Sequence, residues 1–334
     1  MKFDARPKWP MTRRRFVSVL AAAGAVPLLP RGLNAADPTT FTWEGVALGA
    51  QARLTLQHPD EAHAKAAIAA CLSEVARLEA IFSLHQADSA LSRLNRLGRI
   101  DNAPTELREL VAEALIISRL SQGAFDPTIQ PLWRLYADHF ANPDAPLEGP
   151  SQDAIADALR LVDWHKVEID GAIIRFGRPG MAVTLNGIAQ GYITDRVGTL
   201  LRGRGFEHVL VNMGEDLALS PKWDGSSWTI GIADPRQPSA TLTELSLDRG
   251  AVATSGGYGY HFDRGGRFTH ILDPKTGKPA RRWASVTVIA ASATLADGLS
   301  TALSVAPAEM APTILGDNRR AYLVPLGAGT AHWL

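Results

Sequence analysis

Apolar and polar residues alternate from Gly45 to Gln57, the two-residue period of a strand, with Leu48-Gly49-Ala50 as a pinch where backbone can approach a ligand. From Pro59 to Phe82 the period becomes helical: Ile68, Leu72, Val75, Leu78 and Phe82 fall on one face. A second helix runs from Thr105 to Leu120 with Leu107, Leu110, Val111, Ala114 and Leu115 inward, and its cap is the Thr105 hydroxyl, since Arg108 stands where a capping box needs a carboxylate. The proline-rich, acidic Pro143–Pro150 is a surface excursion, and Ser151 to Leu161 is helical. Short strands are expected at Val167–Asp170, Ile173–Phe176 and Ala182–Leu185, the last feeding a helix from Gly187 to Leu201. Further strands follow at His208–Asn212, Trp228–Ala233, Leu242–Leu247 and Ser285–Ala291, then a helix from near Thr294. Strands in close succession with helices clustered between them predict an α+β fold, a single interleaved domain of mostly antiparallel sheet packed by helices.

Composition narrows this little: 334 residues, 46% hydrophobic and 20% charged, suffice for one large or two ordinary cores. Charge is more telling. Seven of the 34 basic residues and one of the 34 acidic ones precede Asp37, so the remainder carries 27 against 33, a net of −6, and no basic stripe is left for nucleic acid. Those early charges, Arg13-Arg14-Arg15-Phe16 ahead of the mildly apolar Ser18–Leu29, match a twin-arginine export signal over residues 1–36, with a retained amphipathic anchor as the alternative. A periplasmic protein is expected. With Cys71 as its only cysteine it has no internal disulfide, and Cys71 reads as a small core residue.

The densest chemistry lies in TSGGYGYHFDRGGRFTHILDPKTGKP, Thr254 to Pro279. Small residues at Thr254, Ser255, Gly256 and Gly257 admit a bulky ligand, and Thr269, His270 and Asp273 place a hydroxyl, an imidazole and a carboxylate close together. Alone, this stretch reads equally as a polar hairpin with a glycine-rich tip. Phe125 and Asp126 in GAFDPT read as core and cap or as site. Leu185–Tyr192 joins a strand to a helix N-terminus, a geometry suited to an anion, and its glycine spacing is not the dinucleotide fingerprint. Asp297 and Thr301 are four apart on a helix, hence on one face, where two oxygens can hold a hard cation such as magnesium or simply face solvent.

In order along the chain, FSLHxxxSxLSRLN, GAFDPTIQPLW, GIAQGYITD, VNMGED, TSGGYGYHF, THILDPKTGKP and ADGLSTAL resemble the FAD:protein FMN transferases of the ApbE type, over roughly Gly45 to Leu326. The export signal is similar to that of members accompanying nitrous-oxide reduction. The resemblance implies magnesium-dependent transfer of FMN from FAD to a threonine or serine hydroxyl of an acceptor flavoprotein, with AMP released and the acceptor a membrane-associated redox protein. It implies that Asp297, Thr301 and the Gly187 carbonyl hold the cation. It implies flavin or adenine contacts at Leu48, His85, Ala124, Phe125, Asp126, Thr184, Gln190, Ser255, Gly256 and Ile271, and His270 as the catalytic base. Four positions depart from the family pattern: Thr184 and Gln190 replace an aspartate and a lysine, Glu215 a glycine, and His85 an aromatic. An FAD pyrophosphatase and a non-catalytic flavin carrier are the rival functions.

Overall fold

The structure, a computed structural model, describes residues 38–47 and 50–334. The export signal over residues 1–36 and Leu48 of the pinch therefore lie outside the described residues. Thirteen strands are present among the described residues: β1 Thr39–Ala47, β2 Ala50–His58, β3 Arg99–Ile100, β4 Val167–Asp170, β5 Ile173–Phe176, β6 Val209–Asn212, β7 Asp216–Ala218, β8 Trp228–Asp234, β9 Gln237–Leu247, β10 Gly250–Gly256, β11 Trp283–Ala290, β12 Arg320–Pro325 and β13 His332–Trp333. The helices are α1 Glu61–Phe82, α2 Ala90–Leu97, α3 Thr105–Leu120, α4 Gln130–Ala141, α5 Gln152–Leu159, α6 Ala189–Gly203, α7 Ala293–Val305 and α8 Ala311–Leu315.

The largest sheet orders its strands β1-β2-β6-β7-β10-β11-β12-β13, and every pairing is antiparallel. A three-stranded sheet, β3-β5-β4, and the β8-β9 ribbon complete the α+β fold. Helices α1, α6 and α7 cover one face of the large sheet, with α3 packed on α1 and α7, and α7 lies directly on β10 and β11. Their apolar side chains form the main core, with Leu54, Leu78, Leu110, Ile193, Val286 and Leu299 fully buried. The other face carries a small cluster of Trp228, Ile230, Leu247 and Val252 under the ribbon. No described helix is long and apolar enough to cross a membrane.

Four local expectations change. The alternation read as one strand from Gly45 to Gln57 belongs to two: β1 folds back so that Ala47 lies opposite Ala50, and the period runs through the reversal unbroken. Ala182–Leu185 has the strand pattern but no strand partner. The Asn95 side chain clamps Val183 instead, donating to its carbonyl at 2.8 Å and accepting its N–H at 2.7 Å, as a local amide can. Helix α3 starts after Pro104 with no side-chain cap; the Thr105 hydroxyl accepts a bond from the Arg108 guanidinium. On α1 the inward face is carried by Ala64, Ala67, Cys71, Val75 and Leu78, with Ile68 and Leu72 at its margin. Cys71 is fully buried, and burial pushes its thiol up to about 12.

Candidate functional site

The site is built around the first turns of α7, where the chain satisfies one helix end with another helix. Ser292 caps α7, accepting the Leu295 N–H at 3.3 Å. Asp195 of α6 accepts the next two orphan amides, Ala293 and Thr294, each at 2.8 Å. The two helices approach so closely that a Cβ on Gly191 would lie 2.2 Å from the Ala293 carbonyl oxygen. That contact lets the Gly191 N–H reach the Asp297 carboxylate at 3.0 Å. Gly191→Ala should therefore force α6 and α7 apart, costing about 1–3 kcal/mol. In a thermal melt the midpoint should fall by several degrees; an unchanged midpoint would show that the helices slide without cost.

One turn beyond Asp297, the Thr301 hydroxyl donates to the Gly187 carbonyl at 3.5 Å and lies 3.1 Å from the Ser255 hydroxyl. Ser300, fully buried, lies 2.6 Å from Ser255 and also donates to the Asp297 carbonyl at 2.9 Å. Gly187 is required here: a Cβ would stand 2.9 Å from the Thr301 oxygen and 3.4 Å from the Phe125 ring. The fold thus brings together Gly187, Asp297, Thr301, Ser255 and Phe125, which are far apart in sequence. One carboxylate, one hydroxyl and one backbone carbonyl form an all-oxygen donor set suited to a hard divalent cation that keeps part of its water shell. Among the described residues no group of three or more His, Cys, Asp or Glu side chains converges as a metal site, so the cation reading rests on this mixed set.

The electrostatics agree with that donor set. Asp297 is 4% exposed, and burial raises its carboxyl to about 7, assisted by the charge of Asp195 and opposed by the Gly191 N–H. Burial likewise raises Glu215 well above the usual carboxylate range, the charge of Asp297 adding to it, and it raises Asp195 and Asp216. No Lys, Arg or His forms an ion pair with any of the four among the described residues. Buried acids without cationic partners leave a deficit of positive charge that a bound cation would fill.

The remaining positions surround this centre unequally. Ala124 and Phe125 are buried, and Asp126 spends both oxygens on its own chain, accepting Thr128 N–H at 2.8 Å, its hydroxyl at 2.6 Å and Trp164 N–H at 3.3 Å. Burial raises the Asp126 carboxyl to about 6. Thr184 hangs from Pro127 by a 2.8 Å backbone bond, and its hydroxyl accepts Asn186 N–H. Gln190 packs beneath the β6–β7 turn, its amide 2.7 Å from where a Gly214 Cβ would be. His85 sits exposed in the turn between α1 and α2, its own N–H bonded to the Ser83 hydroxyl at 3.1 Å.

Ser255 and Gly256 end β10, and the chain then turns through Gly257–Gly259 into the loop that returns at Thr269, whose side chain packs on Gly257. His270 projects from that return. Its Nδ1 lies 3.1 Å from the Tyr260 carbonyl and its ring borders Gly259, while burial holds its pKa below the ordinary value. Asp273 does not touch His270; it closes the turn to Gly277, accepting Lys275 N–H and the Thr276 hydroxyl. Ile271 is half-buried, and its carbonyl accepts Ala280 N–H.

Reasoning from sequence missed Ser300, Asp195 and Asn95 as positioning groups, and treated Glu215 only as a departure. Its signal was a carboxylate between two apolar strands, in a turn with no basic neighbour. Glu215, Asp216, Thr254 and Tyr258 line a cavity of about 230 Å³ together with Ile230–Ala233 of β8 and Val252 of β10. A larger hollow of about 610 Å³, bordered by Arg119, Gln122 and Trp164, contains none of the groups on α7.

Residues 48–323 match the sequence model of the ApbE family. The FAD:protein FMN transferase of Haemophilus influenzae is 31% identical over 261 residues, 74% of this chain and 75% of that protein. The FAD:protein FMN transferase of Vibrio cholerae is 33% identical over 232 residues, 67% of this chain and 68% of that one. Among solved structures, the ApbE protein of Thermotoga maritima superposes with a TM-score of 0.78 at 29% identity, covering 88% of this chain and 96% of that chain.

Proposed function

Because this chain belongs to the ApbE family, we propose that it transfers FMN from FAD to a threonine or serine hydroxyl of an acceptor flavoprotein, with magnesium bound and AMP released. The observation that carries this reading is the convergence of Gly187, Asp297 and Thr301. These residues would hold the cation, which offsets charge on the pyrophosphate. The acceptor oxygen forms a new bond to the phosphorus of the FMN half. The bond from that phosphorus to the bridging oxygen breaks, and the bridging oxygen leaves with AMP. His270 takes the proton of the acceptor hydroxyl; its lowered pKa keeps it in the neutral, proton-accepting form at neutral pH. Ser255 and Ser300 fix the Thr301 rotamer, and the glycines of 254–259 leave room for a ring system over β10. The paired arginines near the amino terminus support a periplasmic setting, where the acceptor would be a membrane-associated redox protein.

Incubating the chain with FAD, magnesium and an acceptor domain should give AMP and an acceptor heavier by one FMN in equal amounts, both abolished by a chelator. AMP with free FMN, whether or not acceptor is present, would make the protein a pyrophosphatase. Intact FAD retained without AMP would make it a carrier.

A further inference from the structure

The stretch that carries His270, Tyr260 to Arg282, holds six Lys or Arg residues against two carboxylates, in a chain that is net acidic beyond its first 36 residues. Arg264, Arg267, Lys275, Lys278, Arg281 and Arg282 are all exposed. The Asp263 side chain is only 8% exposed and turns inward, accepting the Arg267 and Phe268 N–H groups at 3.2 and 2.8 Å. Five of the six cations form no ion pair among the described residues, and Arg267 approaches only Asp263, at 3.8 Å. Bridges between His261 and Thr269 and between Leu272 and Pro279 close the two turns of the stretch, and the Arg281 guanidinium donates to the Arg267 carbonyl at 2.9 Å, tying one turn to the other.

Three large apolar side chains are exposed at the border of this loop. Leu147 is 70% exposed, and its carbonyl accepts the Arg267 guanidinium. Leu326 is 52% exposed, and its N–H donates to the Arg282 carbonyl at 3.1 Å. Tyr260 is 48% exposed and backed by Trp133, the two rings stacked 6.0 Å apart, while its carbonyl lies 3.1 Å from His270 Nδ1. Single exposed apolar residues need no explanation. Three of them around an arginine-rich loop without ion pairs have the make-up of a protein interface, apolar anchors set among cations.

We propose that the Tyr260–Arg282 loop, with Leu147 and Leu326, is the docking surface for the acceptor protein, and that it selects a serine or threonine segment flanked by acidic side chains and carrying an apolar anchor. This rests on the transferase reading given above. A base at His270 requires the acceptor hydroxyl within hydrogen-bond reach of that ring, so the acceptor chain on either side of the hydroxyl must lie along this loop. Exposed cations without carboxylate partners favour an acidic partner there, and their contribution is to specificity and rate of encounter, weakened by salt.

The test uses two fluorescein-labelled peptides, one with a central threonine flanked by Asp-Leu-Asp on each side and one with Asn for every Asp. Each is titrated by anisotropy with the full chain, without FAD or magnesium, so that binding is read apart from turnover. In about 20 mM NaCl the acidic peptide should bind at least about tenfold more tightly than its neutral counterpart, and the preference should shrink in about 200 mM NaCl. The triple variant Arg264→Glu, Lys278→Glu, Arg282→Glu should lose the preference with its thermal melt unchanged. The double variant Arg264→Lys, Arg282→Lys should keep it, and Leu147→Ser should weaken both peptides. FAD affinity, read by flavin fluorescence, should be the same in all variants. Equal binding of the two peptides by wild type, or an undiminished preference in the triple variant, overturns the proposal. A triple variant that loses FAD affinity by the same factor would make these cations a steering field for the nucleotide. Phosphatidylglycerol vesicles bound more tightly than the acidic peptide, and lost in the triple variant, would make the face a lipid contact; either result overturns acceptor docking. If the peptide preference holds but FAD, magnesium and an acceptor domain yield no AMP, the acidic-segment surface stands and the transferase reading fails by itself.

Discussion

Asp297→Ala is expected to remove AMP release and covalent flavin on the acceptor together, by at least roughly a hundredfold, since loss of even an outer-shell group costs ten- to a hundredfold at metal sites. The same substitution strips Gly191 N–H of its acceptor, so a loss of activity could in principle reflect loosening of the α6–α7 contact. Asp297→Asn separates the two: its amide oxygen still accepts from Gly191, so the melt should stay near wild type while the rate collapses. Magnesium should raise the wild-type midpoint and leave that of Asp297→Asn unmoved. If Asp297→Asn transfers flavin at more than a tenth of the wild-type rate, the carboxylate is not needed and the cation must be held elsewhere.

The fold was largely legible because strand and helix periods survive along most of the chain. Helix α3 and strands β4 and β5 sit at the residues the pattern predicts. The failures share a cause: periodicity reports burial, not bonding. Ala182–Leu185 reads as a strand because Ala182, Val183 and Leu185 are apolar and buried, yet an asparagine side chain supplies the pairing. The β1–β2 reversal was hidden because both strands carry the same alternation through it. Strand β7, only three residues long, gives too little pattern to be seen.

Reading the candidate site by type and spacing singled out two of the oxygens the proposal gives to the cation, but not what holds them. Asp297 and Thr301 announce themselves at helical spacing, whereas the Gly187 carbonyl enters only through the family resemblance. Ser300, by contrast, looks like any helix hydroxyl until Ser255 is brought 2.6 Å from it by the β10–α7 packing. Asp195, on α6, caps a helix nearly a hundred residues on. Such groups act only across long sequence separations, and a single sequence carries no record of those pairings.

His270→Ala is expected to lower transfer by about 10²–10⁴-fold, the range for a positioned general base, with FAD affinity little changed. The pH profile discriminates. Burial lowers the His270 pKa from 6.5, so the wild-type rate should hold through neutral pH and fall only in acid, below the ordinary histidine value. The variant should lack that acid limb. Stability carries the opposite diagnostic. A histidine kept neutral by burial favours unfolding once the unfolded chain takes up a proton first. Wild-type stability should therefore decline as pH falls below about 6.5 and level off beneath the folded pKa, a slope that His270→Ala removes. His270→Gln, which can still donate toward the Tyr260 carbonyl, should restore the melt at neutral pH but not the rate. Recovery of the rate by glutamine would assign His270 to holding the loop against Gly259, with some other group accepting the acceptor's proton.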